Sequence, residues 1–142
     1  MASSREAKRQ FNARFSPRTL SRLRLRSTLS RIAAGVLAER YVEEGLRMDE
    51  HPLIYFRDGE AGRRPALMGT RLDVWQVIET VRQNENSPAA AAEYLRLPLS
   101  HVEALLGYYV NYQNEVDEWI AREQTVADQA EISWRRRHEI FT

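Results

Sequence analysis

Near the start of the chain, Gln10-Phe11-Asn12-Ala13-Arg14-Phe15 alternates strictly between polar and apolar residues. In a strand this puts Gln10, Asn12 and Arg14 on one face and Phe11, Ala13 and Phe15 on the other. Carboxamides and a guanidinium are the side chains best suited to reading base edges, because each presents a planar, two-point hydrogen-bonding edge. An ordinary edge strand with a solvated polar face carries the same pattern. At the far end, Trp134 is followed by Arg135, Arg136 and Arg137, then by His138-Glu139-Ile140-Phe141. An aromatic anchor beside guanidinium groups that bind carboxylates bidentately suits a protein partner. A solvated basic tail, or a second nucleic-acid contact, is the competing reading.

Both groups of residues bind rather than react. His51, His101 and His138 are too scattered for a local metal motif, and the sequence contains no cysteine. No glycine-rich phosphate loop, nucleophile elbow or catalytic carboxylate pair has recognisable spacing. The expectation is a protein with no catalytic residues, no metal and no cofactor. No apolar run is long enough to span a membrane, and the N-terminus lacks the apolar stretch of a signal peptide, so a cytoplasmic protein is expected.

Charge divides the chain. From Met1 to Met48 there are eleven basic and four acidic residues, and from Asn84 to Glu131 two basic and nine acidic ones. A basic end suits a polyanion such as DNA; an acidic end avoids nucleic acid and meets protein. Arg18, Arg22 and Arg26, at four-residue spacing, form either a backbone-contacting face or a solvated one. Arg5, Lys8 and Arg9 are either a phosphate-reaching arm or a solubilising tail.

The elements that must position these residues follow from spacing. Ser16-Pro17 ends the alternating segment and opens a helix. Leu20, Leu23 and Ser27 line one face of that helix. After a break near Ser30 to Ala33, Val36, Leu37, Arg40, Tyr41 and Glu44 mark a second, ending near Gly45 to Met48. One strand and two helices cannot enclose a core, and a lone strand needs a partner for its backbone groups. Two copies with their strands paired antiparallel and four helices behind them satisfy both needs.

The motif Gln-Phe-Asn-x-Arg-aromatic, followed by Pro-Arg and a leucine-rich helix, closely resembles the opening of the MetJ/Arc family of ribbon-helix-helix proteins. The resemblance covers roughly the first third of the chain. It implies an intertwined homodimer whose paired strands enter the major groove. Gln10, Asn12 and Arg14 would then read bases. Lys8 and Arg9, with Ser30 and Arg31 at the start of the second helix, would hold phosphates. Two departures from the family pattern stand out: Ser16 is inserted before the proline, and the turn between the helices lacks its usual glycine, Gly35 falling later.

Beyond a linker at 49–52, Leu53 to Phe56 and Pro65 to Met68 read as the strands of a hairpin. Asp58-Gly59 gives the turn signal, and Glu60 to Arg64 lengthen the tip. Thr70 or Asp73 caps a helix with Val74, Trp75, Val77, Ile78 and Val81 on its buried face. Ser87-Pro88 opens a short alanine-rich helix. Leu99, Val102, Leu105, Leu106, Tyr109 and Tyr112 mark a third, which has no lysine or arginine to face phosphates. Its tyrosines fill the domain's core or anchor an interface. Asn114, followed by Asp117, reads as the cap of a long final helix from Glu115 to about Arg137, with Val116, Trp119 and Ile120 as its apolar start.

From about Leu53 to Ile120, the Pro65-Ala-Leu-Met-Gly-Thr-Arg71 segment, Val74-Trp75 and the helices after them resemble a second family. It is a small bacterial domain with a Gly-Thr-Arg signature, found in VapB-type antitoxins, which neutralise PIN-like ribonuclease toxins. The resemblance implies that Trp119, Trp134, Arg135, Arg136, Arg137 and Phe141 bind the toxin, with an arginine entering its metal-holding carboxylate cluster.

The expected fold is mainly α: a basic arm at 1–8, a ribbon-helix-helix domain at 9–48, a hairpin and helix-turn-helix-like domain at 53–113, and a long C-terminal helix at 114–142. The expected function is that of an antitoxin of a type II toxin–antitoxin pair, with operator DNA and a PIN-like ribonuclease as partners and no membrane association. The alternatives are a free-standing ribbon-helix-helix repressor whose second domain oligomerises or senses a ligand, and a protein-interaction adaptor that does not bind DNA.

Overall fold

The computed structural model describes residues 6–142, among which the chain forms six helices and one two-stranded antiparallel sheet. The helices are α1 (Pro17–Ser30), α2 (Ala34–Glu50), α3 (Val74–Gln83), α4 (Pro88–Leu95), α5 (Leu99–Asn111) and α6 (Gln113–Phe141). The strands are β1 (Ile54–Gly59) and β2 (Gly62–Leu67). Two compact units result, Met1–Glu43 and Glu44–Thr142. The arm expected at 1–8 falls largely on residues outside the described range.

In the first unit, the serine before Pro17 has a local task. Ser16 is the N-cap of α1, its hydroxyl accepting from the Thr19 amide at 3.2 Å, and Pro17 sits where a missing N–H costs nothing. The turn after α1 is made without glycine by Arg31, which adopts a left-handed conformation (φ 58°). The Ser27 hydroxyl donates to the Ile32 carbonyl at 2.6 Å and ties down the turn. Leu20, Leu23 and Ser27, the expected inner face, are the half-buried positions of α1, while the rest of that helix is exposed.

In the second unit, a single apolar core gathers Ile54, Leu67, Val74, Val77, Val102 and Leu105 around the fully buried Tyr108. The hairpin differs from expectation. Its strands run on to Gly59 and Gly62, which face each other across a two-residue tip at Glu60 and Ala61, instead of stopping at Phe56 and Pro65. The charged stretch that reads as loop is held by ion pairs. Asp58 lies opposite Arg63 at 3.4 Å, and the Arg63 guanidinium reaches Glu44 at 2.6 Å. Gly62, at φ +120°, supplies the backbone geometry that the short tip needs.

Of the two cap candidates, Asp73 precedes α3, and its amide donates to the Gln76 side chain at 2.8 Å. Its buried carboxylate also accepts from Arg57 Nε at 2.9 Å and from the Trp75 indole at 3.2 Å, with Arg64 Nε 3.2 Å away. That convergence joins the hairpin to α3, since a buried carboxylate is tolerated only when its lone pairs are met. Ser87 caps α4 through the Ala90 amide at 3.1 Å, with Pro88 at the first position, as the sequence predicts.

The final helix begins earlier than expected. Gln113 opens α6, so Asn114 and Asp117 lie inside it and do not cap it. Asp117 is taken up by Arg82 at 2.7 Å and by the Tyr109 hydroxyl at 2.8 Å, and Glu115 by Arg47 at 2.8 Å. The first acids of α6 are therefore fastening points within the second unit.

Candidate nucleic-acid and protein interfaces

Residues 10–15 are neither helical nor, among the described residues, hydrogen-bonded through their backbone to another segment. The expected ladder joins two copies, so one chain carries only half of it. The Gln10 and Asn12 carboxamides lie together, with 3.4 Å between Nε2 and Oδ1, and Arg14 is exposed beside them. Lys8 forms an exposed ion pair with Glu39 at 2.8 Å, while Arg9 is exposed.

Phe11, Ala13 and Phe15, together with Gly35, Ala38 and Val42 of α2, line an open groove with a volume of about 1430 Å³. Phe11 is 89% exposed, and Leu25, Leu29, Val36 and Val42 are all exposed as well. Leu37 is the fully buried apolar residue of this unit's described part.

The expected phosphate pair is placed differently. Ser30 is the last residue of α1 and its hydroxyl donates to the Arg26 carbonyl at 2.7 Å, while α2 starts only at Ala34. Ser30 and Arg31 thus stand at the end of α1 instead of at the start of the second helix. Both remain exposed.

On α6 the expected partner-binding residues separate into two groups. Trp119 is 6% exposed, with the Arg122 guanidinium 5.1 Å from its ring centroid, so it belongs to the core. Residues 124–142 are all exposed. There Trp134 stacks on His138 with ring centroids 5.1 Å apart and planes 7° from parallel. Arg135 pairs with Glu131 at 2.6 Å, Arg136 and Arg137 are exposed, and Phe141 is 85% exposed.

No protein-family model, curated protein or solved structure matches this chain.

One cluster is missing from the sequence reading. Arg47, counted there simply as part of the basic excess, lies 3.9 Å over the Tyr112 ring and donates to the Tyr108 hydroxyl at 2.9 Å and to Glu115 at 2.8 Å. Burial is the main cause that pushes the Tyr108 phenol up to about 12, with Arg47 pulling the other way. His51 sits edge-on to Tyr108 and Tyr112. The available signal was a lone arginine at the polar end of an apolar stripe, which charge counting overlooks. Among the described residues no group of three or more acidic or histidine side chains could hold a metal ion, and no helix is long and apolar enough to cross a membrane.

Proposed function

We propose that this protein is the antitoxin of a type II toxin–antitoxin pair. Two copies pair their Gln10–Phe15 segments into a β-ribbon that enters the major groove of operator DNA, where Gln10, Asn12 and Arg14 read base edges. The exposed end of α6, with Trp134, Arg135, Arg136, Arg137 and Phe141, takes a PIN-like ribonuclease, and a guanidinium competes there with metal for carboxylates.

The observation that carries the reading is the composition of the first unit's surface. Phe11, Leu25, Leu29, Val36 and Val42 are exposed around a single fully buried leucine, beside a segment whose backbone has no ladder among the described residues. So few buried apolar side chains do not stabilise an independent unit of this size, and a second copy supplies both the missing apolar cover and the missing strand. The basic excess of the same residues suits the polyanion.

Two measurements test this. In a gel shift with the DNA upstream of its own coding region, Arg14→Ala weakens binding by at least tenfold, the cost of roughly one bidentate base contact. Equal binding by wild type and variant removes the base-reading role. Co-expression with the neighbouring gene yields a complex with a small nuclease. Operator binding with no such partner favours the free-standing repressor.

A further inference from the structure

The face of α6 that packs into the second unit does not stop where the packing stops. From Val116 and Ile120 it continues through Glu123, Ala127, Ala130, Trp134, Arg137 and Phe141, at alternating steps of three and four residues. This is the spacing of a helix-pairing seam. Its first part is covered, since Val116 and Trp119 are buried, whereas everything from residue 124 onward is exposed. A polar helical run of this length is marginal in water without a packing partner.

We infer that this seam is filled by α6 of a second copy of the chain, running antiparallel. Size and charge along the seam fix the occupant and its direction. The small Ala127 and Ala130 precede the bulky Trp134. An antiparallel two-fold centred near Ile132 lays each Trp134 over the partner's Ala130, with Ala127 the next small residue along the seam, so large meets small twice. The acids Glu123, Asp128 and Glu131 precede the bases Arg135, Arg136 and Arg137. A parallel pair would align like charges. The antiparallel one brings Arg137 to within about one helical turn of the partner's Glu123 along the axis, within reach of its long side chain, and also opposes the two helix dipoles. The contact is isologous and confined to α6, so it is additional to the ribbon pairing of the first unit. A nuclease that captures Trp134 would have to displace it.

The full-length chain tests this without any nuclease, so its outcome is separate from that of the antitoxin reading. The sequence has no cysteine, which makes single labelling sites clean. Thr125, Ile132 and Glu139 lie seven residues apart on the side of α6 opposite Trp134. With a nitroxide on a cysteine at each site in turn, pulsed dipolar spectroscopy should give the shortest inter-copy distance at Ile132. The other two sites should give longer, nearly equal distances, because each label is offset from its counterpart by about 21 Å along the axis. Arg137→Glu should abolish the short Ile132 distance, and adding Glu123→Arg should restore it. Equal distances at all three sites, no α6 distance within range, or indifference to Arg137→Glu would each overturn the inference.

Discussion

At the scale of single residues, Tyr108 is the side chain on which the second unit's titration turns. Its ring is fully buried, and its hydroxyl accepts from Arg47. A phenol whose folded value is raised from 10.0 to about 12 keeps its proton better in the folded than in the unfolded chain. The associated stability is therefore complete below pH 10 and is lost as pH rises from about 10 to about 12. The loss should approach roughly 2–3 kcal/mol across that window. Tyr109 is also pushed up, first by burial and then by its bond to Asp117, and adds in the same direction. Urea unfolding at about pH 9 and about pH 11 measures the slope, and Tyr108→Phe should make it shallower; an unchanged slope would show that Tyr108 does not titrate in this range. Arg47 illustrates what a sequence hides at this scale. It carries the same formal charge as the arginines counted for DNA, and only its neighbours Tyr108, Tyr112 and Glu115 show that it serves the fold.

At the scale of elements, legibility tracks apolar periodicity. The half-buried face of α1, the four buried positions of α3 and the Ser-Pro start of α4 are where the spacing puts them. Legibility fails where charged residues are structural. The hairpin tip reads as a long loop because Arg57, Asp58, Arg63 and Arg64 break the apolar run, yet ion pairs hold those residues in strands. In α5 the stripe drawn through Tyr109 and Tyr112 packs against the core as expected but omits Tyr108, which is the fully buried tyrosine. Adjacent tyrosines give a periodicity argument nothing to choose between. Turns opened by non-glycine residues carry strain that can be measured. Arg96 follows α4 at φ 57°, where its Cβ is crowded. Arg96→Gly should raise stability by about 0.5–1 kcal/mol, since relief of left-handed strain exceeds the added entropy of the unfolded chain. Thermal melts of the two proteins check it, and a lower midpoint for the variant would show that the Arg96 side chain contributes more than its backbone costs.

At the scale of the whole molecule, the charge division follows the two compact units. The basic excess lies in Met1–Glu43 and the acidic stretch in Glu44–Thr142. That division is what the proposed pairing of a duplex with one unit and a protein with the other draws on, and it was legible from sequence because net charge needs no coordinates. The identity of the proposed partners rests on resemblance alone. Deleting Ser133 to Thr142 removes Trp134, Phe141 and all three clustered arginines, every one of them exposed. On the proposed antitoxin reading, the truncated chain should therefore keep its melting midpoint within a few degrees and its operator affinity within about twofold, while nuclease activity reappears in a co-expressed RNA-cleavage assay. Continued silencing of the nuclease by the shortened chain would move the toxin contact elsewhere on the second unit.

The length of α6 sets a spatial scale for whatever it captures. The exposed run from residue 124 to Phe141 extends about 27 Å at 1.5 Å per residue. That reach is about the diameter of a small domain, so a molecule seated on Trp134 and Phe141 can be held well clear of the α3–α5 body. The helix then works as a boom, and lengthening or shortening it by one turn would shift the cargo by about 5 Å and turn it only slightly about the axis.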